Sequence, residues 1–128
     1  MSNFPSDLRY TADHEWLRSS GNSWRVGITQ FAVDQLGDIT IVDLPNVGDL
    51  VTKGQKFGTI ESVKSVSDLY APVSGKVTAI NTTLKDAPEQ VNTAPYEGGW
   101  MIEIEPTEQA ELTELMAVDA YSKHVANS

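Results

Sequence analysis

Chemistry has few places to start in this chain, and Lys64 is the first. It lies ten residues after Gly54 and eleven before Gly75. β-Prone segments flank it: Phe57 to Val63 carries Thr, Ile and Val, and Val66 to Tyr70 reads as its partner strand. That is the position of a lysine at a hairpin tip. An ordinary solvated lysine does no chemistry there. A lysine presented for acylation would hold a long flexible chain that carries a reactive group between enzymes too large to share one active site. The protein would supply presentation, and the acyl group the chemistry. Amide formation would make the formal net charge of −9 one unit more negative. Val63-Lys64-Ser65 is too short to be selective alone, so a modifying enzyme must read a folded hairpin.

The other candidates carry less. His14-Glu15 opens like a zinc-protease helix, but Arg18 stands where the second histidine is required. His124, near the C-terminus, reads as a solvated or helix-end histidine. Glu108, Glu111 and Glu114 read as a solvated helix face, and Trp16, Trp24 and Trp100 as core or cavity wall. The absence of cysteine excludes disulfides, thiolate catalysis and thiolate metal sites. No catalytic residue and no metal site is predicted.

The elements that must position Lys64 are short strands. The hairpin turn lacks the Asn-Gly or Asp-Gly that tight hairpins favour, but Gly48, Gly54, Gly58 and Gly75 offer the positive-φ and close-approach positions of a small, bent sheet. Ala71-Pro72 breaks the pairing. Beyond it Val73, Gly75, Val77 and Ala79 alternate with polar residues as a strand with one buried face. Asp49-Leu50-Val51 before Gly54 echoes Asp68-Leu69-Tyr70 before Gly75, as if two half-sheets met at the hairpin. Upstream, Leu8 to Tyr10 predicts an edge strand, Thr11 to His14 a turn, and Trp16 to Ile28 a hairpin around Gly21-Asn22. Thr29 caps a helix over 30–36 with Phe31, Ala32 and Leu36 inward and Gly37 at its stop. The apolar run Ile39 to Leu44 predicts a buried strand ended by Pro45. Downstream, 82–92 reads as loop with one helical turn at Leu84, limited by Pro88. Trp100, Ile102 and Ile104 predict the buried face of a strand whose outer side is Met101, Glu103 and Glu105. Thr107 caps a helix with Leu112, Leu115 and Met116 inward, and Asp119 caps a last one with Lys123 and His124 near its end.

Glu61-Ser62-Val63-Lys64, Ala71-Pro72 and Gly75 together resemble the swinging-arm hairpin of lipoyl and biotinyl carrier domains. A wider ordered set is similar to the H-protein family of the glycine cleavage system: His14-Glu15-Trp16, Val26-Gly27-Ile28-Thr29, Glu61 to Lys64, and Asn92 through Pro95-Tyr96 to Gly98-Gly99-Trp100. The resemblance spans nearly all 128 residues. It implies a mainly β, flattened hybrid barrel-sandwich of the lipoyl/biotinyl type with small accessory helices, and a carrier rather than an enzyme. It implies lipoate on Lys64, with Glu61 and Gly75 in lipoylation recognition. Asp13, Glu15 and Asp68 would contact or neighbour an aminomethyl group held in a surface cavity. The implied partners are glycine decarboxylase, aminomethyltransferase, dihydrolipoyl dehydrogenase and a lipoate-attaching enzyme. A biotin carrier is the rival, although it brackets its lysine with methionines where this chain has Val63 and Ser65. A lipoyl relay protein, handing lipoate to other complexes, and an unmodified interaction module are the others.

Composition bounds the same answer. The 128 residues, 40% hydrophobic, predict one domain over 1–128, with the lysine hairpin in 47–81 and C-terminal helices in 107–127. Eighteen acidic against nine basic residues oppose nucleic acid and anionic lipid and favour encounters with basic protein surfaces. No segment approaches the length of a membrane span. The N-terminal stretch lacks signal-peptide and transit-peptide character, which predicts a cytoplasmic protein, or a mitochondrial matrix one only if a transit peptide has been removed.

Overall fold

The structure, a computed structural model, describes residues 4–127. Met1 to Asn3 and Ser128, which the expected domain includes, lie outside the described residues. The chain first forms β1 (Arg9–Tyr10), β2 (Glu15–Ser20), β3 (Ser23–Ile28) and α1 (Gln30–Leu36), then β4 (Ile39–Asp43), β5 (Leu50–Val51), β6 (Lys56–Ser62), β7 (Val66–Tyr70) and β8 (Gly75–Ile80). The short helices α2 (Thr83–Asp86) and α3 (Gln90–Thr93) lead to β9 (Ile102–Pro106), α4 (Gln109–Leu112) and α5 (Val118–Ala126).

Two antiparallel sheets result, one in the order β1-β2-β3-β9-β8-β5 and one in the order β4-β6-β7. Their inward faces share one core: Leu17, Val26, Val77, Ile102 and Ile104 from the first meet Val42, Phe57, Ile60 and Leu69 from the second. The opposite face of β1 and β2 builds a second cluster, in which Leu8, Tyr10 and Trp16 are covered by Tyr121 of α5. Burial of these side chains is the main favourable contribution to the fold, about 1.5–3 kcal/mol for each large apolar residue.

The hairpin around Gly21-Asn22, the helix over 30–36 and the lysine hairpin form as expected. Thr29 Oγ1 accepts the Ala32 amide, and Gly37 ends α1 at φ 81°. Of the hairpin glycines, Gly48 and Gly54 have positive φ. Gly75 has another reason: a Cβ there would strike the Glu105 carbonyl oxygen and approach Ile104 Cγ2 to 2.6 Å.

Several expectations are corrected. The run Ile39 to Leu44 is not a buried strand. β4 is an edge strand with an open outer face, and a bulge between Ile39 and Ile41 turns Ile41 outward, 51% exposed, while Ile39 and Val42 face the core. In α1 Ala32 and Leu36 pack against the core as expected, but its buried residue is Val33, and Phe31 lies against His14. The echoed Leu50 and Leu69 fall in unlike places, Leu50 78% exposed beside β8 and Leu69 buried in β7. Met101 is wholly buried, because the strand begins only at Ile102, and Trp100 lies partly buried under the Arg25 guanidinium at 4.5 Å. A second helical turn, α3, follows Pro88. Thr107 is no cap: its hydroxyl donates to the Ser74 carbonyl. Asp119 lies inside the first turn of α5, whose cap position is Ala117. In the glutamate series Glu108 and Glu114 are exposed as expected, Glu114 pairing with Lys53 at the surface, but Glu111 is half-buried and accepts the Ser74 amide at 2.6 Å.

Candidate functional site

Lys64 stands exposed in the three-residue connection between β6 and β7. Ser62 builds the turn that Asn-Gly would otherwise build. Its Oγ accepts the amides of Lys64 and Ser65, each at 3.2 Å, while its own amide donates to the Ser65 carbonyl at 2.8 Å. Val63 N–H donates to the Asp38 carbonyl at 3.0 Å, which ties the tip to the end of α1. The lysine stem therefore lies over Gly37, with Cε 3.4 Å from where a Cβ would sit. Val63 and Val66, 69% and 63% exposed, flank the lysine. Glu61, which the resemblance links to lipoylation recognition, is half-buried in a cross-strand row between Ile41 and Val66.

Beside the tip lies a cavity of about 360 Å³. Leu36 and Gln35, next to the Gly37 on which the lysine stem rests, form one wall, and Ile28 and Ile60 form apolar floor. Asp13, Glu15 and Asp68 line it as well, so the three acids singled out from the sequence come together. His14 and Tyr70 complete the polar side. Gly75 is not brought there: it belongs to β8, in the other sheet.

Glu15 is the unusual acid. Only 3% exposed, it accepts the Tyr70 amide at Oε2, 3.1 Å away, and Thr11 Oγ1 lies 3.5 Å from its Oε1. Burial, reinforced by Asp13 and opposed by those two donors, pushes its carboxyl up to about 8. At neutral pH it is a neutral acid, able to become a carboxylate when a cation arrives. Asp68 is half-exposed and reaches Lys56 at 3.5 Å. His14 has φ 67° and is held below the usual histidine range by burial and by His124, against Asp13.

The other sequence motifs serve as scaffold. Asn92 accepts the Ile39 amide and donates to the Gly37 carbonyl, both at 2.9 Å, locking the turn under Lys64. The Tyr96 hydroxyl accepts the Gln30 amide at 2.8 Å, and Trp16 Nε1 donates to the Pro95 carbonyl at 2.9 Å. Tyr121 was not singled out from the sequence, and Ser62 and Tyr70 entered only inside longer motifs, without the roles they have here. Only the Ser62 turn left a local signal, a serine two residues before an unexplained hairpin tip.

The glycine cleavage H-protein family model matches residues 8–128. The glycine cleavage system H protein of Listeria welshimeri is 55% identical over 119 residues, covering 93% of this chain and 95% of that one. That of Halalkalibacterium halodurans is 51% identical over 126 residues, 98% of each. The crystal structure of a glycine cleavage system H protein from Mycobacterium marinum superposes with a TM-score of 0.86 at 39% identity, covering 96% of this chain and 99% of that one. The two facing sheets are thus a lipoyl-type barrel-sandwich with small helices. From the match along nearly its whole length, this chain belongs to the glycine cleavage H-protein family, whose members serve glycine cleavage as lipoyl carriers.

Proposed function

We propose that Lys64 carries lipoate in amide linkage and that the protein shuttles the aminomethyl group of glycine from glycine decarboxylase to aminomethyltransferase. Dihydrolipoyl dehydrogenase then restores the disulfide form, and a lipoate-attaching enzyme reads the hairpin beforehand. The observation that carries this reading is the juxtaposition of an exposed tip lysine, its stem directed over Gly37, and an acid-lined cavity starting at Leu36 and Gln35. The residues fit the group: Ile28, Leu36 and Ile60 suit an apolar chain, and Asp13, Glu15 and Asp68 suit a cationic end. Lipoate, when bound, supplies the dithiol chemistry. The protein's part is to present Lys64, to accept an ammonium beside Glu15 and to limit water around it.

Membership of the family favours lipoate over biotin. The lined cavity favours a carrier over a relay, because a relay needs only the tip. We place the protein in the cytoplasm. Among the described residues no helix is long and apolar enough to cross a membrane.

Intact mass of protein from its native host is expected to show one lipoyl group, on the peptide containing Lys64. Lys64→Arg is expected to abolish lipoylation and glycine decarboxylation while changing stability by about 0.5 kcal/mol or less, because the residue is exposed and keeps its charge. Full carrier activity in that variant, or lipoate on another lysine, would overturn the reading. Lipoylated protein that fails to load from glycine would point to the relay.

A further inference from the structure

The C-terminal helix reaches the cavity wall at two side chains: His124 Nε2 lies 3.2 Å from the Ala12 carbonyl oxygen, and the Tyr121 hydroxyl meets Thr29 and His14. Tyr121 is fully buried on α5, its ring stacked on Tyr10 with centroids 4.5 Å apart. Its oxygen lies 2.7 Å from Thr29 Oγ1 and 2.8 Å from His14 Nδ1. Either hydroxyl can be the donor between Thr29 and Tyr121, and the role of His14 Nδ1 follows the ring's tautomer; with Thr29 donating to Tyr121, the Tyr121 proton goes to His14 Nδ1. That direction leaves the His14 ring neutral with its proton on Nε2. His14 is also where the backbone is out of the ordinary, in the left-handed region that a histidine side chain adopts only when its surroundings hold it. Its amide donates to the Thr11 carbonyl at 3.1 Å, its carbonyl accepts the Thr29 amide at 2.9 Å, and its ring lies 4.6 Å from that of Phe31. The turn held this way carries Asp13, His14 and Glu15 into the cavity wall.

We propose that Tyr121 is a positioning residue for the cavity: from α5 it fixes the His14 ring, and His14 fixes the turn that presents Asp13 and Glu15 to the aminomethyl cargo. This rests on the arm-carrying reading above. The process it opposes is cargo loss. The unprotonated amine's lone pair forms a carbon–nitrogen double bond as the carbon–sulfur bond breaks, and the bonding pair leaves on sulfur. Water then adds to the freed iminium carbon, giving formaldehyde and ammonia, and a proton returns to sulfur. Acids held in register keep the nitrogen protonated, and a closed wall limits water. A helix outside the cavity thereby governs how long cargo survives inside it.

Tyr121→Phe keeps the ring stack and deletes the hydroxyl. His14→Asn deletes the ring and keeps a residue type that tolerates left-handed backbone. In unlipoylated protein, nitrogen NMR of the parent imidazole is expected to place the His14 proton on Nε2, and Tyr121→Phe to give a tautomer mixture. In lipoylated, glycine-loaded protein each single variant is expected to release formaldehyde roughly three- to tenfold faster than the parent. The double variant is expected to be no faster than either single, because both act in one chain. Lipoyl occupancy by intact mass is expected to be equal in all four. Parent-like release from the single variants, an unchanged tautomer in Tyr121→Phe, or effects that multiply in the double variant would overturn the proposal. Should Tyr121→Phe not fold, a parent His14 protonated on Nδ1, or parent-like release from His14→Asn, overturns it as well. A parent that cannot load, or that sheds cargo as fast as denatured loaded protein, is a different result: it removes the arm-carrying reading, and this inference with it.

Discussion

Glu15 is where one side chain's environment most changes what the site can do. Its carboxyl is raised from 4.5 to about 8, chiefly by burial. Below about 4.5 the folded and unfolded chains both carry the proton, and the group's full share of stability is present. Between there and about 8 the unfolded chain ionises while folded Glu15 stays protonated, so its contribution is lost as pH rises. Glu15→Gln copies the neutral acid without the titration. Relative to the parent it should gain stability from pH 5 to pH 8, reaching a Tm advantage of roughly 2–6 °C at the upper end. Thermal melts of both proteins at the two pH values check this, and an equal Tm difference at both would show that Glu15 ionises freely. The same substitution should weaken cargo retention. An ammonium beside Glu15 draws it into the carboxylate form, a pairing glutamine cannot offer, so loaded Glu15→Gln should release formaldehyde faster, most visibly toward alkaline pH. Superimposable decay curves would assign protection to the apolar walls or to another acid.

At the scale of elements, the two residues expected to govern lipoylation should act by different routes. Gly75 sits in β8 against the Glu105 carbonyl and Ile104, so Gly75→Val must push β8 and β9 apart and should cost roughly 1–3 kcal/mol in chemical denaturation. Any loss of lipoylation would then follow from the altered sheet. Glu61→Ala, three residues before the tip, should slow lipoylation with little change in Tm; normal modification would show that the attaching enzyme reads something else, such as exposed Val63 and Val66. The strands around these positions were legible because period-two alternation survives wherever one face is covered, as in β8. The pattern failed where coverage was decided elsewhere in the chain. Nothing local says that β4 ends a sheet and turns Ile41 to solvent, or that Met101 precedes its strand and is buried. Likewise Lys64 and Glu15 stood out through an ordered motif, and Asp13 and Asp68 only through what the family resemblance implies. Tyr121 did not, because its partner His14 is 107 positions away and a tyrosine in a short amphipathic helix is ordinary until that contact forms.

For the molecule as a whole, charge sets both how it meets partners and how much it strains against itself. The net charge of −9 is spread over a small body, and amide formation on Lys64 removes one more cation. Like charges held in a compact fold repel, while the same field speeds approach to a basic docking surface. These two effects respond oppositely to salt, because screening relieves the repulsion and also shortens the reach of the attraction to about 8–10 Å at physiological ionic strength. Raising salt from about 0.02 to 0.3 M should therefore leave Tm unchanged or raise it by a few degrees, while kcat/KM for loading by glycine decarboxylase falls roughly three- to thirtyfold. The loss should appear in KM rather than kcat, since screening acts on encounter and the buried contacts of Glu15 stay in place. Lipoylated protein, more negative than the unmodified form, should fall the more steeply when the two compete for the same enzyme. Melting and steady-state loading measured on one preparation across that salt series check the pairing of effects. A loading rate indifferent to salt would mean that partners recognise the exposed apolar residues around Lys64 rather than the field of the whole molecule.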